Sequence, residues 1–216
     1  MLTPLSIGFG LLVLLLGITL IWRLASRRYA LPCPTWLRWL VEIDSPLAKT
    51  YQASVIVQRL ELEPGMKVLD LGCGPGRLTI PIAQQVGPQG QVVAIDLQPG
   101  MLRRAQEKAQ AAHLNNIQFL HVGAGEGALQ IGQNAFDRAL LVTVLGEIPD
   151  RTAALKEIFD ALNLGGILSV TEIMLDPHYQ SRATILRFAS AVGFREKQFF
   201  GNRFAFTLNL EKPDHA

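Results

Sequence analysis

From Leu2 to Ile21 the chain reads "LTPLSIGFGLLVLLLGITLI", without a single charged residue. A helix of that length reaches about 30 Å at ~1.5 Å per residue, the thickness of a bilayer core. Beyond residue 60 the pattern changes. Short apolar runs rich in β-branched residues appear at 67–72 ("KVLDLG"), 91–96 ("QVVAID"), 117–122 ("IQFLHV"), 136–144 ("FDRALLVTV") and 166–172 ("GILSVTE"). Each reads as a strand. Between them lie amphipathic stretches such as "QPGMLRRAQEKAQAAH", in which Leu102, Ala105, Ala109 and Ala112 share one helical face. Strand alternating with helix predicts a parallel sheet covered on both faces. After a last helix around "SRATILRFASAVG", the runs "REKQFF" and "RFAFTLNLE" are separated only by Gly201 and Asn202, which predicts an antiparallel hairpin closing the sheet.

The first apolar stretch has no basic residue before Arg23 and no small-residue cleavage site after it. It therefore reads as an uncleaved transmembrane anchor, against the alternatives of a cleaved signal or a buried core helix. Arg23, Arg27 and Arg28 follow directly, which puts the rest of the chain on the cytoplasmic side of a single-pass arrangement. Trp22 stands at the interface position. "ALPCP" at 30–34 breaks any helix leaving the membrane. Next, "TWLRWLVEI" places Trp36, Trp39, Leu40 and Ile43 on one face, suited either to the headgroup level or to packing on the domain. Ser45 and Pro46 are the N-cap and first residue of a helix ending before Pro64. The expected organisation is an anchor with its basic flank (1–29), a linker with N-terminal helices (30–60) and one α/β domain (61–216).

Composition narrows the function classes. A net charge of +2 over 216 residues gives no basic face for nucleic acid. The two cysteines, Cys33 and Cys73, form no framework, and no His, Cys and carboxylate cluster has metal-ligand spacing. Cys73 is read as a small residue in a tight loop.

That loop is "VLDLGCGPGRLTIPIA", 68–83, with Gly72, Gly74 and Gly76 following an apolar run that ends in Asp70 and Leu71. The glycines turn the chain from strand to helix, with Pro75 starting the helix, at the edge of the sheet where open α/β folds bind ligands. Asp96 closes the next strand, as does a carboxylate that accepts hydrogen bonds from ribose hydroxyls. The run is Gly-x-Gly-x-Gly and not the dinucleotide Gly-x-Gly-x-x-Gly. An acid beside it would repel a diphosphate and favour a cationic ammonium or sulfonium group, so the residues point to an amino-acid-bearing nucleoside.

These motifs resemble those of the class I S-adenosylmethionine-dependent methyltransferases. "VLDLGCGPGRLT" is similar to that family's first motif, "VVAIDLQPGML" to its second, and "ALNLGGILSVTE" to its late glycine-containing strand motif, in order and over roughly residues 60–212. "VTVLGEIPDRTAALKEI" resembles the acceptor side of the small-molecule and lipid branch related to ubiquinone and menaquinone methyltransferases. The resemblance implies a Rossmann-like seven-stranded mixed sheet with S-adenosyl-L-methionine as cofactor. It implies that Asp70, Gly72, Gly74 and Gly76 hold the methionine part, that Asp96 holds the ribose, and that Leu97 lies against the adenine. Where the family often carries an acid for the adenine amino group, this chain has Ala124, with Glu126 nearby as a substitute.

Methyl transfer from a sulfonium needs alignment and a dry site more than an activated side chain. Where the acceptor loses a proton, a base is needed. Glu147 after the fourth strand and His178 in the loop "MLDPHYQ" are the candidates, set against a helix-start carboxylate and an exposed loop histidine respectively. Tyr51 and Tyr179 are secondary candidates for covering the site. The anchor favours a lipid-like or isoprenoid acceptor over a soluble one. The rival reading is an anchored protein that binds S-adenosylmethionine without transferring the methyl group.

Overall fold

The computed structural model describes residues 49–125, 129 and 131–214, together with scattered positions between Gly8 and Ala25. No helix among the described residues is long and apolar enough to cross a membrane. The expected anchor lies largely outside the described residues, so a transmembrane helix is not shown. Phe9, Val13, Leu14, Ile18, Leu20 and Ile21, which are described, are helical with exposed side chains. The proline hinge, the tryptophan-bearing stretch and the Ser45–Pro46 helix start lie outside the described residues.

One turn of 3-10 helix at Lys49–Tyr51 leads into α1 (Ala53–Arg59). There follow β1 (Lys67–Leu71), α2 (Thr79–Val86), β2 (Gln91–Asp96), α3 (Pro99–Ala111), β3 (Ile117–His121) and β4 (Phe136–Val142). The chain continues with α4 (Arg151–Ala161), β5 (Leu162–Ile173), α5 (Arg182–Ala191), β6 (Arg195–Gly201) and β7 (Ala205–Glu211). The seven strands run in the order β3-β2-β1-β4-β5-β7-β6. The first five are mutually parallel, and β7 is antiparallel to β5 and β6. The seven-stranded mixed sheet with its terminal hairpin is therefore as expected.

Strand periodicity sorts the core into two layers. Val68, Val92 and Leu140 point to the face packed by Ile56 of α1, Leu60 just after it, and Ile82 and Val86 of α2. Their neighbours Leu69, Val93 and Leu141 point to the opposite face, against Leu155 and Ile158 of α4 and Ile185 of α5. Such double-sided burial is why these strands read as continuous apolar runs. Because β1 pairs with both β2 and β4, the strand order reverses at β1 and a crevice opens at its carboxyl end.

Three details differ from the sequence reading. The helix after the glycine loop begins at Thr79 and not Pro75, because residues 74–78 are spent in turns. Strand β5 starts at Leu162, directly after α4, and takes up the extra residues in a register shift opposite Phe136 and Arg138, with Gly165 at φ +72°. The hairpin turn is Asn202–Phe204 and not Gly201–Asn202: Gly201 still pairs with Phe206, and the Asn202 side chain accepts from the amides of Phe204 and Ala205.

Candidate active site

The glycine loop is tied to the sheet by backbone. The amides of Gly72 and Cys73 both donate to the carbonyl of Ile95, at 2.8 and 2.9 Å. Gly72, Gly74 and Gly76 have φ of +74°, +53° and +79°, a region that residues with a side chain enter only with strain. The close approach that two of them permit is to the protein itself. A Cβ on Gly72 would overlap the Val144 side chain, and one on Gly76 would lie 3.0 Å from Ala105 Cβ of α3. The third glycine faces the acid: Gly74 N donates to Asp96 Oδ2 at 2.8 Å. The other oxygen of Asp96 accepts from Gln98 N at 2.8 Å.

Asp70 is buried beneath the loop and accepts from Thr79 Oγ1 at 2.6 Å. Burial pushes its carboxyl up to about 6; the Thr79 hydrogen bond opposes this, Asp96 adds to it and Arg77 counters it. Asp96 is also raised, chiefly by burial, against the pull of the two amides and His121. Burial beside Asp70 and Asp96 likewise pushes the Cys73 thiol up, so it is no nucleophile at neutral pH. Leu97 is 62% exposed and its side chain crosses Gly123, where a Cβ would lie 3.1 Å from Leu97 Cδ2. Ala124 is half-buried against the core, and Glu126 lies outside the described residues.

Glu147 is not a helix-start residue. The helix begins at Arg151 with Asp150 as N-cap, whose Oδ1 accepts from Ala153 N at 2.9 Å. Glu147 instead sits in the loop after β4, and its carboxyl is pushed up to about 8 by burial and by the charges of Asp176 and Asp96. The repulsion comes from Asp96 at the end of β2 and Asp176 in the loop after β5. A further carboxyl, Glu172 at the end of β5, is 1% exposed and accepts from Gln180 N at 3.2 Å, with its Oε1 unpartnered. Burial, Asp176 and Glu147 hold it well above the usual range, against the opposing Gln180 hydrogen bond and Arg151.

His178 is buried, not an exposed loop histidine. Its backbone nitrogen donates to Asp176 Oδ1 at 2.7 Å, and Gln180 Nε2 donates to its carbonyl at 2.7 Å. With Gly146, Arg151, Tyr179 and Gln180 it lines a cavity of about 350 Å³ between the loops after β4 and β5. Arg151 shapes this wall by donating from Nε to the Leu145 carbonyl and from Nη2 to the Gly146 carbonyl. Tyr179 is anchored by its hydroxyl, which donates to the Arg203 carbonyl at 2.6 Å. Tyr51 stacks beneath Arg77, whose guanidinium lies 4.4 Å from the ring centre, and its hydroxyl lies 3.5 Å from Thr143 Oγ1.

At Gly146 a Cβ would overlap the carbonyl of His178, which is backbone and cannot swing away. Gly146→Ala is therefore expected to push apart the cavity's two loops and destabilise the domain by about 1–3 kcal/mol. Thermal unfolding of the variant checks this, and an unchanged Tm would mean that the two loops separate freely.

Sequence reasoning singled out the stretches that hold Gly146, Arg151, Glu172, Asp176 and Gln180 but gave none of the five an individual role. For Glu172 a signal existed, since it closes an apolar run as Asp70 and Asp96 do. The others are brought to the cavity by loop geometry. The assembled residues fit a cationic nucleoside. Buried carboxyls gather at the carboxyl edge, Asp96 has further lone pairs for hydroxyls, and Leu97 offers an apolar surface beside it.

A family model for a methyltransferase domain matches residues 62–200. The chain belongs to this methyltransferase domain family, in its class I form, whose cofactor is S-adenosylmethionine. Among curated proteins it is similar to demethylmenaquinone methyltransferase of Geobacillus stearothermophilus, with 31% identity over 71% of this chain and 59% of the relative. It is also similar to that of Listeria welshimeri, with 33% identity over 51% of this chain and 46% of the relative. The matched part thus spans less than two thirds of these relatives. Among solved structures, a SAM-dependent methyltransferase from Aquifex aeolicus shares the fold with a TM-score of 0.74 at 19% identity, over 83% of this chain and 98% of that one. The [4+2]-cyclase SpnF does so with 0.66 at 20% identity, over 74% and 79%.

Proposed function

We propose that this protein transfers a methyl group from S-adenosylmethionine to a quinone-like lipid acceptor. The observation that carries the reading is the set of buried carboxyls at the reversal of strand order, next to a cavity of about 350 Å³ with polar walls. The names of the curated relatives support the acceptor class. Asp96 takes the ribose hydroxyls, Leu97 covers one face of the adenine, and Ala124 lies at its edge. Asp70 favours the cationic methionine end beside Gly72, Gly74 and Gly76.

The bound cofactor supplies an electrophilic methyl group on a sulfonium. The chain's own residues do the rest. The carboxyls lower the potential of the crevice, which favours a cation. Glu147 receives the proton that the acceptor loses, since a carboxyl held near neutrality has the affinity such a base needs. Gly146, Arg151 and the 178–180 segment enclose the acceptor and exclude water. His178 is the second candidate for the base, at the cavity wall.

The exposed apolar side chains between Phe9 and Ile21 support an N-terminal membrane anchor, with Arg23, Arg27 and Arg28 on the cytoplasmic side. Tethering would then keep the domain near a bilayer-dissolved acceptor.

Methyl transfer from labelled S-adenosylmethionine to a demethylated quinol lipid in vesicles tests the reading. A singly methylated product is expected. Cofactor binding without any product would favour the rival, a protein that only binds S-adenosylmethionine, for which the Ala124 departure speaks. The fold alone does not decide, since a cyclase shares it. Cofactor affinity carries its own expectation. A cation favours the ionised form of Asp70, whose carboxyl burial raises to about 6, so binding releases a proton and affinity should rise with pH up to about 6 and level off above it. Calorimetry across that range measures it, and a flat profile would separate Asp70 from the cofactor.

A further inference from the structure

Beyond the N-terminal segment, the large apolar side chains that the described residues leave exposed are unevenly spread. Leu97, Met174, Leu175 and Phe204 lie on loops at the carboxyl edge of the sheet, while Phe199 is on β6 and Leu164 near the start of β5. Three of the four are joined. Met174 N donates to the Phe204 carbonyl at 2.7 Å, so the loop after β5 and the tip of the β6–β7 hairpin form one continuous projection. The Tyr179 hydroxyl ties the same tip, through the Arg203 carbonyl, to the wall of the cavity. Leu175 at the crest is 85% exposed.

Arg203 stands beside this apolar crest with its guanidinium 4.8 Å from the ring centre of Phe204. No carboxylate pairs with it among the described residues. An apolar tip carrying an aromatic ring and an unneutralised cation matches an interface with acyl chains below and phosphates at its rim. A protein partner would more often be met by a flatter patch with a satisfied polar rim.

We propose that the projection formed by Met174, Leu175 and Phe204, with Arg203 at its side, is a bilayer-docking surface that inserts into the interface of an anionic membrane. Its place sets its use. The projection borders the cavity, so docking turns the cavity toward the lipid phase and lets an acceptor enter without crossing water. This rests on the reading that the acceptor is a membrane lipid, and it adds a second attachment that orients the domain. An anchor at the far end of the chain does not itself orient it.

The full chain, with Cys33→Ser so that buried Cys73 is the sole remaining native thiol, is labelled at Leu175→Cys with an environment-sensitive fluorophore. It is reconstituted in vesicles of phosphatidylcholine and phosphatidylglycerol. A blue-shifted emission and quenching by brominated acyl chains are expected. The same label at Gln89→Cys, in the turn before β2 at the opposite edge, should stay water-like. A Leu175 label that remains water-like in vesicles overturns the proposal. So does one already shielded in detergent-free nanodiscs of neutral lipid with no bromine quenching, which would mean that another part of this chain covers the crest. These readouts do not depend on methyl transfer, so they stand apart from the test of activity. In the kinetic arm, Leu175→Asp with Phe204→Asp should raise KM for bilayer-dissolved acceptor about ten-fold, equivalent to about 1.4 kcal/mol. KM for detergent-dispersed acceptor and affinity for S-adenosylmethionine should not move, and an equal loss on both acceptor forms counts against docking.

Discussion

Glu147→Gln is expected to lower kcat by about a hundred-fold or more while leaving S-adenosylmethionine affinity within a few-fold of the parent. The amide keeps the size and burial of the carboxyl but cannot accept a proton. In the parent, turnover should rise with pH through about 8, where the Glu147 carboxyl ionises under the influence of burial, Asp176 and Asp96. The variant should lose that limb. The same change should stabilise the fold at higher pH, because the folded-state carboxyl holds its proton more tightly than the unfolded one. Its contribution is fully present below the ordinary value of 4.5 and is lost as pH rises to about 8. Removing the group should therefore stabilise the fold near pH 8 and change its stability almost not at all near pH 4. Turnover across pH, with denaturant titrations at the two ends, measures both effects. Full activity with an unchanged profile would remove Glu147 as base and turn attention to His178→Ala.

Asp96→Ala is expected to weaken S-adenosylmethionine binding at least ten-fold and to loosen the glycine loop. Asp96 serves two purposes at once. Its oxygens receive the amides of Gly74 and Gln98, so its removal strips a charged acceptor from two half-buried donors, at about 1.5–3 kcal/mol for each hydrogen bond to a charge. Some of that loss is returned, because burial already makes the ionised carboxyl costly. The ribose contact has no such compensation. Titration calorimetry reads the affinity and thermal unfolding reads the loop. Asp96→Asn, which keeps an oxygen for one amide, should recover part of the stability and little of the affinity. A dissociation constant equal to the parent's would remove the ribose assignment.

The glycine loop illustrates how far local pattern reaches. Three glycines in five positions, with a strand before them and an acid two residues ahead, foretell positive φ and a turn at the ligand-binding edge. They do not foretell what occupies the space. Val144 and Ala105 do so at Gly72 and Gly76, from elements that are distant in sequence. Likewise "VTE" at the end of β5 is legible as a strand ending in an acid, but of its neighbours Asp176 and Gln180 come from the loop that follows it and Glu147 from the separate loop after β4. His178 was readable as a loop residue. Its burial follows from Gly146 lying against its backbone, a contact across 32 positions of chain.

What the sequence by itself determined was therefore everything carried by short-range periodicity and by residues whose backbone preferences are intrinsic. The seven strands, the faces of the helices and the strand-end acids Asp70 and Asp96 belong here, because alternation at period 2 and 3.6 and glycine's freedom at positive φ act within a few residues. The tertiary structure decided the rest: the start of α2 at Thr79, the hairpin turn at Asn202–Phe204, and the cavity between the loops after β4 and β5. It also decided the raised carboxyls, since burial and the mutual repulsion of Asp70, Asp96, Glu147 and Glu172 arise only when strand ends far apart in sequence are packed side by side in a parallel sheet.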